Sequence, residues 1–164
     1  MKKLIAITLA CFAGTISSVL ANDITGKVVS VIDGNTVEIT SSTQEKHKVI
    51  LVGIDCPEIG QQFGAEAKKF TEKILLNKDV TVSFTGKDRW GNQLAIVKIK
   101  GTRDARVDIL KEGLAWTAEK NPDPDLDTYR SNAQEKGKGL WKEENPTPPW
   151  TYRRMQTMTE AKSG

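Results

Sequence analysis

Asp55 and Glu58 flank Cys56 and Pro57 at the end of an apolar run, Ile50-Leu51-Val52-Gly53-Ile54. A buried strand has no use for charge at its end unless something binds there, so these carboxylates read as a pair that acts on a bound group. An aspartate capping the next turn beside a solvated glutamate would give the same letters. Other chemistry is narrower. Once a leader containing Cys11 is removed, Cys56 is the one cysteine left, which excludes an internal disulfide and a cysteine metal site. The single histidine, His47, excludes a histidine-rich zinc cluster.

The elements that must hold the pair follow from hydrophobic period. Ile24 to Ile32 is rich in valine and leads into the turn Asp33-Gly34-Asn35; Thr36 to Thr40 then alternates, with Val37 and Ile39 on one face. The two runs form a hairpin. His47 to Ile54 is a third strand, Val49 and Leu51 on one face, Lys48, Ile50 and Val52 on the other. Phe63, Ala67, Phe70 and Ile74 recur at helical spacing, which predicts a helix over Phe63 to Leu76. Asp79 to Thr85 and Gln93 to Lys100 are two further strands about the turn Gly86 to Asn92, and two helices follow, one through Val107, Leu110 and Leu114, one through Leu126, Tyr129 and Ala133. Five strands with helical cover predict a five-stranded barrel capped by three helices, an α+β domain.

At the start, Lys2 and Lys3 precede the apolar stretch Leu4 to Leu20, with small residues before a cut after Ala21, the pattern of a signal peptide. Residues 1–21 are therefore expected to be cleaved and the protein exported, periplasmic or secreted, without stable membrane insertion. Residues 22–154 form one domain, a monomer, and 155–164 a disordered tail. Pro146, Pro148 and Pro149 are expected to keep the run before the tail from being regular helix, with Trp150 and Tyr152 packing it back onto the domain. Of 24 basic residues two lie in the leader, so 22 face 21 acids, a net charge of +1. Any anionic partner is then held by a local patch rather than by a basic surface.

The ordered series Val31-Ile-Asp-Gly-Asn-Thr-Val-Glu-Ile, Ile50-Leu-Val-Gly-Ile-Asp-Cys-Pro-Glu, Gln62-Phe-Gly-Ala-Glu-Ala-Lys-Lys-Phe, Asp88-Arg-Trp-Gly-Asn-Gln-Leu-Ala, Glu112-Gly-Leu-Ala-Trp and Gly139-Leu-Trp with Pro148-Pro-Trp-Thr-Tyr-Arg-Arg resembles the thermonucleases of the micrococcal nuclease type. The resemblance covers the chain after the leader. It implies an OB-fold barrel and Ca²⁺-dependent hydrolysis of phosphodiesters in DNA or RNA, with single strands preferred. In that chemistry Ca²⁺ takes oxygens, a glutamate takes a proton from water, and arginines meet the phosphate charge.

Carried over by position, Glu58 matches the general base, while Asp33, Asp55 and the backbone carbonyl of Cys56 match metal-site positions. Three family positions differ. Asn35 stands where a metal-binding aspartate is expected, and Ile50 and Asn92 stand at the two arginine positions. Asparagine brings no charge to Ca²⁺, and each lost preorganised donor costs on the order of 10²- to 10³-fold in rate. The expectation is a weakly active or inactive nuclease-like protein that binds nucleic acid or another partner, with weakened Ca²⁺ affinity. One alternative is a working nuclease with Lys48, Arg89 or Arg103 as substitute phosphate cations; Lys48 lies about 7 Å along the strand from Ile50 and lacks the arginine fork. Another is an interaction module without nucleic acid, which the near-neutral charge favours.

Overall fold

The computed structural model describes residues 23–163, so the expected signal peptide lies outside the described residues. Its elements in chain order are β1 (Asp23–Val31), β2 (Thr36–Ser41), β3 (Lys46–Leu51), β4 (Ile54–Asp55), α1 (Gly64–Leu75), β5 (Asp79–Lys87), β6 (Gln93–Ile99), β7 (Arg103–Asp104), α2 (Ala105–Lys111), β8 (Trp116–Thr117), α3 (Pro124–Glu135), a 3₁₀ turn (Gly139–Lys142) and α4 (Pro149–Ser163).

The five long strands run in the order β3-β2-β1-β5-β6, and β3 then pairs with β6 in parallel, Val49 beside Gln93 and Leu51 beside Ala95. That pairing closes the barrel and leaves neither strand with a free edge. Alternation does the filling: Val28, Val37, Ile39, Val49, Leu51, Val82, Ala95 and Val97 are fully buried inside. The predicted barrel is the observed one. On its outside, α1 buries Ala67, Thr71, Ile74 and Leu75, and α2 buries Ala105, Ile109 and Leu110.

Two details fix the rim of the barrel next to the β1–β2 turn. The Thr71 hydroxyl donates to the Gly34 carbonyl at 2.6 Å, which satisfies a buried polar group and ties α1 to the turn. A Cβ on Gly34 would lie 2.5 Å from the Cβ of Cys56, so only glycine allows the turn to close against the segment carrying Asp55.

The end of the chain differs from expectation. Pro149–Ser163 is helix, where the prolines predict an irregular run and residues past Arg154 predict disorder. The reason is position: a proline in the first turn lacks only an N–H that has no helical partner there, and its fixed φ suits the helix. The domain is capped by four helices instead of three. Trp150 does pack back as expected, edge-on to Trp116 with centroids 5.7 Å apart, and Trp116 in turn meets Trp141 at 4.4 Å. The connection before α4 is pinned as well, by Gln61 Nε2 donating to the Thr147 carbonyl at 2.6 Å and Gln62 Nε2 to Glu143 at 2.9 Å.

Candidate active site

Past β3 the chain turns at Gly53, whose φ is +82°, and re-enters as the two-residue β4, paired with β8 so that Asp55 lies opposite Trp116. The turn is held from below by a buried arginine. Arg106 Nη1 donates to the Val52 carbonyl at 3.0 Å, while its Nε and Nη2 donate to Asp104, the latter at 2.7 Å. A buried arginine without such partners would be costly; with them it is a rigid strut. Downstream, Glu58 is fixed by a loop that returns on itself. Its backbone N–H donates to Gln61 Oε1 at 3.2 Å, and its carbonyl lies so close to Gly64 that any Cβ there would overlap it.

Asp55 and Glu58 thus open into one cleft of about 640 Å³, with Asp33, Asn35, Ile50 and Asn92 also in its wall. Between the two carboxylates stands Arg153 of α4. Its Nη2 donates to Asp55 Oδ2 at 2.7 Å, and its Nη1 donates to Asp55 Oδ1 at 3.1 Å and Glu58 Oε1 at 2.6 Å. One guanidinium therefore bridges the two carboxylates. Burial raises the Asp55 carboxyl above its ordinary range; the Arg153 contacts pull the other way, while Glu58 and Asp33 add to the rise. The same pairing, with Asp55 foremost, pushes the Arg153 guanidinium higher still, so it stays charged.

The altered positions have found structural work. Asn35 accepts from the Cys56 N–H through Oδ1 at 3.3 Å, and its N–H donates to Asp33 Oδ1 at 2.9 Å. Ile50 sits between Thr36 and Leu94 in the sheet and lines the cleft with them, an apolar floor where a cation was expected. Asn92 donates from its backbone N–H and its Nδ2 to Asp88, at 2.9 and 2.8 Å, and locks the β5–β6 turn. Burial pushes the Cys56 thiol well up, so it stays protonated at neutral pH and is no thiolate ligand.

The proposed substitute cations fall outside the cleft wall. Lys48 is exposed on β3 opposite Glu38. Arg89 stacks on Trp90, 4.0 Å from the ring centroid, and lines the neighbouring trough. Arg103 is engaged by Asp108 at 2.6 Å. The residues that sequence reasoning missed are Arg153, Lys120 in the cleft wall, and the strut Arg106. The one signal available was the Arg153-Arg154 pair after a proline able to start a helix.

The sequence model of the staphylococcal nuclease homologue family matches residues 48–143. An uncharacterised endonuclease of Escherichia coli O157:H7 is 34% identical over 154 residues, 93% of this chain and 98% of that protein. The chain belongs to this nuclease family. A micrococcal nuclease of Shigella flexneri is 31% identical over 143 residues, 80% of this chain and 82% of its own length, and an uncharacterised endonuclease of Haemophilus influenzae is 34% identical over 138 residues, 84% and 77%. The family match ends before α4, so Arg153 comes from outside the matched segment.

This nuclease family is generally Ca²⁺-dependent. Ca²⁺ takes six to eight oxygens, and the arrangement here does not fit it. Among the described residues no three His, Cys, Asp or Glu side chains are grouped to hold a metal ion. Both Asp55 oxygens face a guanidinium, and the Asn35 carbonyl oxygen is engaged by Cys56. Among the described residues no helix is long and apolar enough to cross a membrane.

Proposed function

We propose that this nuclease-family protein is an exported phosphodiesterase of low turnover acting on single-stranded DNA or RNA. The observation that carries the reading is the cleft itself: Asp55 and Glu58 stand together, with Lys120 in the same wall and Trp90, 72% exposed, at its edge. Glu58 is only partly buried and its carboxylate can take the proton of a water attacking phosphorus. The new P–O bond forms as the ester P–O bond breaks, and the departing alkoxide takes a proton from solvent. Exposed indoles suit splayed bases, which favours single strands over duplex.

Turnover is low because neither Ile50 nor Asn92 meets the charge that grows on the phosphoryl oxygens, and Asn35 leaves Ca²⁺ a poorer donor set. Ca²⁺ dependence comes from the family and is read as weakened here. Export rests on the leader pattern of residues 1–21. A second reading, binding without hydrolysis, is favoured by the apolar floor at Ile50 and Leu94.

Digestion of labelled single-stranded and duplex substrates, with Ca²⁺ and with chelator, separates the two. Slow cleavage that Glu58→Gln lowers by about 10²-fold or more supports the hydrolase. Retention of single strands with no cleavage at any protein concentration overturns it in favour of the binding module.

A further inference from the structure

Arg153 is placed by a helix that lies beyond the family match, yet it is the cation nearest the catalytic carboxylates. Its guanidinium is half exposed, at 50%, while the carboxyl it grips most closely, Asp55, is 19% exposed. The side chain lines two adjoining spaces at once. One is the cleft of Asp55 and Glu58; the other is a trough of about 920 Å³ with Arg89, Trp90, Lys120, Trp150 and Arg154. Arg154 is paired with Glu119 at 3.2 Å, whereas Lys120 has no carboxylate partner among the described residues. The trough therefore carries free positive charge and two indoles along a path that ends at the catalytic pair. That is the combination a single-stranded polynucleotide requires, phosphates on cations and bases on aromatic faces.

Arg153 also constrains the base. Glu58 Oε1 accepts from the guanidinium at 2.6 Å, so that oxygen is occupied and a water cannot reach it while Arg153 is in place. The resting arrangement is thus self-blocked, and the group that blocks it has the planar fork that matches a phosphodiester's two oxygens.

Resting on the phosphodiesterase reading above, we propose that Arg153 is the substrate-binding arginine of this site, supplied by α4 in place of those absent at positions 50 and 92. When a strand enters along the trough, the guanidinium passes from Asp55 and Glu58 to the phosphodiester oxygens. The move neutralises the phosphate and frees Glu58 in one step.

The test uses the chain from residue 22 onward, with Arg153→Gln and Arg153→Lys. Binding of a short labelled thymidine oligonucleotide is followed against salt in chelator. Arg153→Gln is expected to weaken oligonucleotide binding by about tenfold and lower the salt slope by ~0.7, the share of one phosphate contact. Arg153→Lys recovers charge but not the fork, and falls between. Oligonucleotide binding equal in affinity and slope to the natural protein overturns the role of Arg153 while leaving the phosphodiesterase reading intact. A natural protein that neither retains nor cleaves nucleic acid overturns both readings together.

Discussion

Asp55 and Asp88 line the same cleft, each at a turn on the barrel rim, and their carboxylates are treated in opposite ways. Asp88 accepts from the N–H groups of Trp90 and Asn92, each at 2.9 Å, and from Asn92 Nδ2 at 2.8 Å. These partners lie within four residues of it, and they hold its carboxyl below the usual range. Asp55 has its main partner 98 positions away, and burial raises its carboxyl in spite of that partner. A carboxylate satisfied by its own turn stabilises that turn. A carboxylate kept half-hidden, short of local donors and met by one cation from a distant helix gains nothing from its own turn, and the proposed function gives it a use there.

The largest effect that would break this contrast comes from restoring the family residues together, Asn35→Asp, Ile50→Arg and Asn92→Arg. Cleavage in Ca²⁺ is expected to rise by about 10²-fold or more, measured as initial rates on single-stranded DNA. Because Asn92→Arg also removes the Nδ2 bond to Asp88, that change by itself should gain less than its share of the set. No gain from the set would mean that the cations around α4 already meet the phosphate.

A smaller effect, on stability, sharpens the comparison. The folded-state carboxyl of Asp55 is raised, so its ionised form opposes folding once the pH is above the carboxylate range. Asp55→Asn is therefore expected to increase the thermal midpoint near neutral pH, and the increase should vanish as the pH falls below the ordinary carboxylate value. A lower midpoint at neutral pH would show instead that the Arg153 pairing outweighs the burial cost.

Asp88→Ala tests the other half and should move least. The folded-state carboxyl is lowered, so its contribution is present above the ordinary carboxylate range and lost as the pH falls through the lowered value. A slight fall in thermal midpoint at neutral pH, absent in acid, is the expected result. A midpoint change that persists unaltered in acid would show that the turn does not depend on the charge.

Much of the barrel was legible because its signal is local. Val49 and Leu51 inward with Ile50 outward follows from a period of two, and that period survives in the structure. Glu58 and Asp55 were legible for a different reason: charge ending an apolar strand is conspicuous. The substitute cations were misplaced because spacing along a chain says little about which wall a long side chain reaches. Lys48 is two residues from Ile50 yet faces solvent opposite Glu38, and Arg89 folds over Trp90. The prolines before α4 misled because proline breaks a helix in its interior but starts one in its first turn.

By itself, then, the sequence determined the barrel, the acidic pair, and the change of a family carboxylate at position 35 and of family cations at positions 50 and 92, all of them matters of residue type and short-range period. Tertiary structure decided which cation stands at the acids. Arg153 reaches them only because Trp150 packs on Trp116 and the connection before α4 is tied to Gln61 and Gln62. Those contacts join residues 34 to 86 positions apart, and no periodicity along the chain encodes them. They depend on shape and packing, which exist once the barrel has closed and α4 has a surface to lie against.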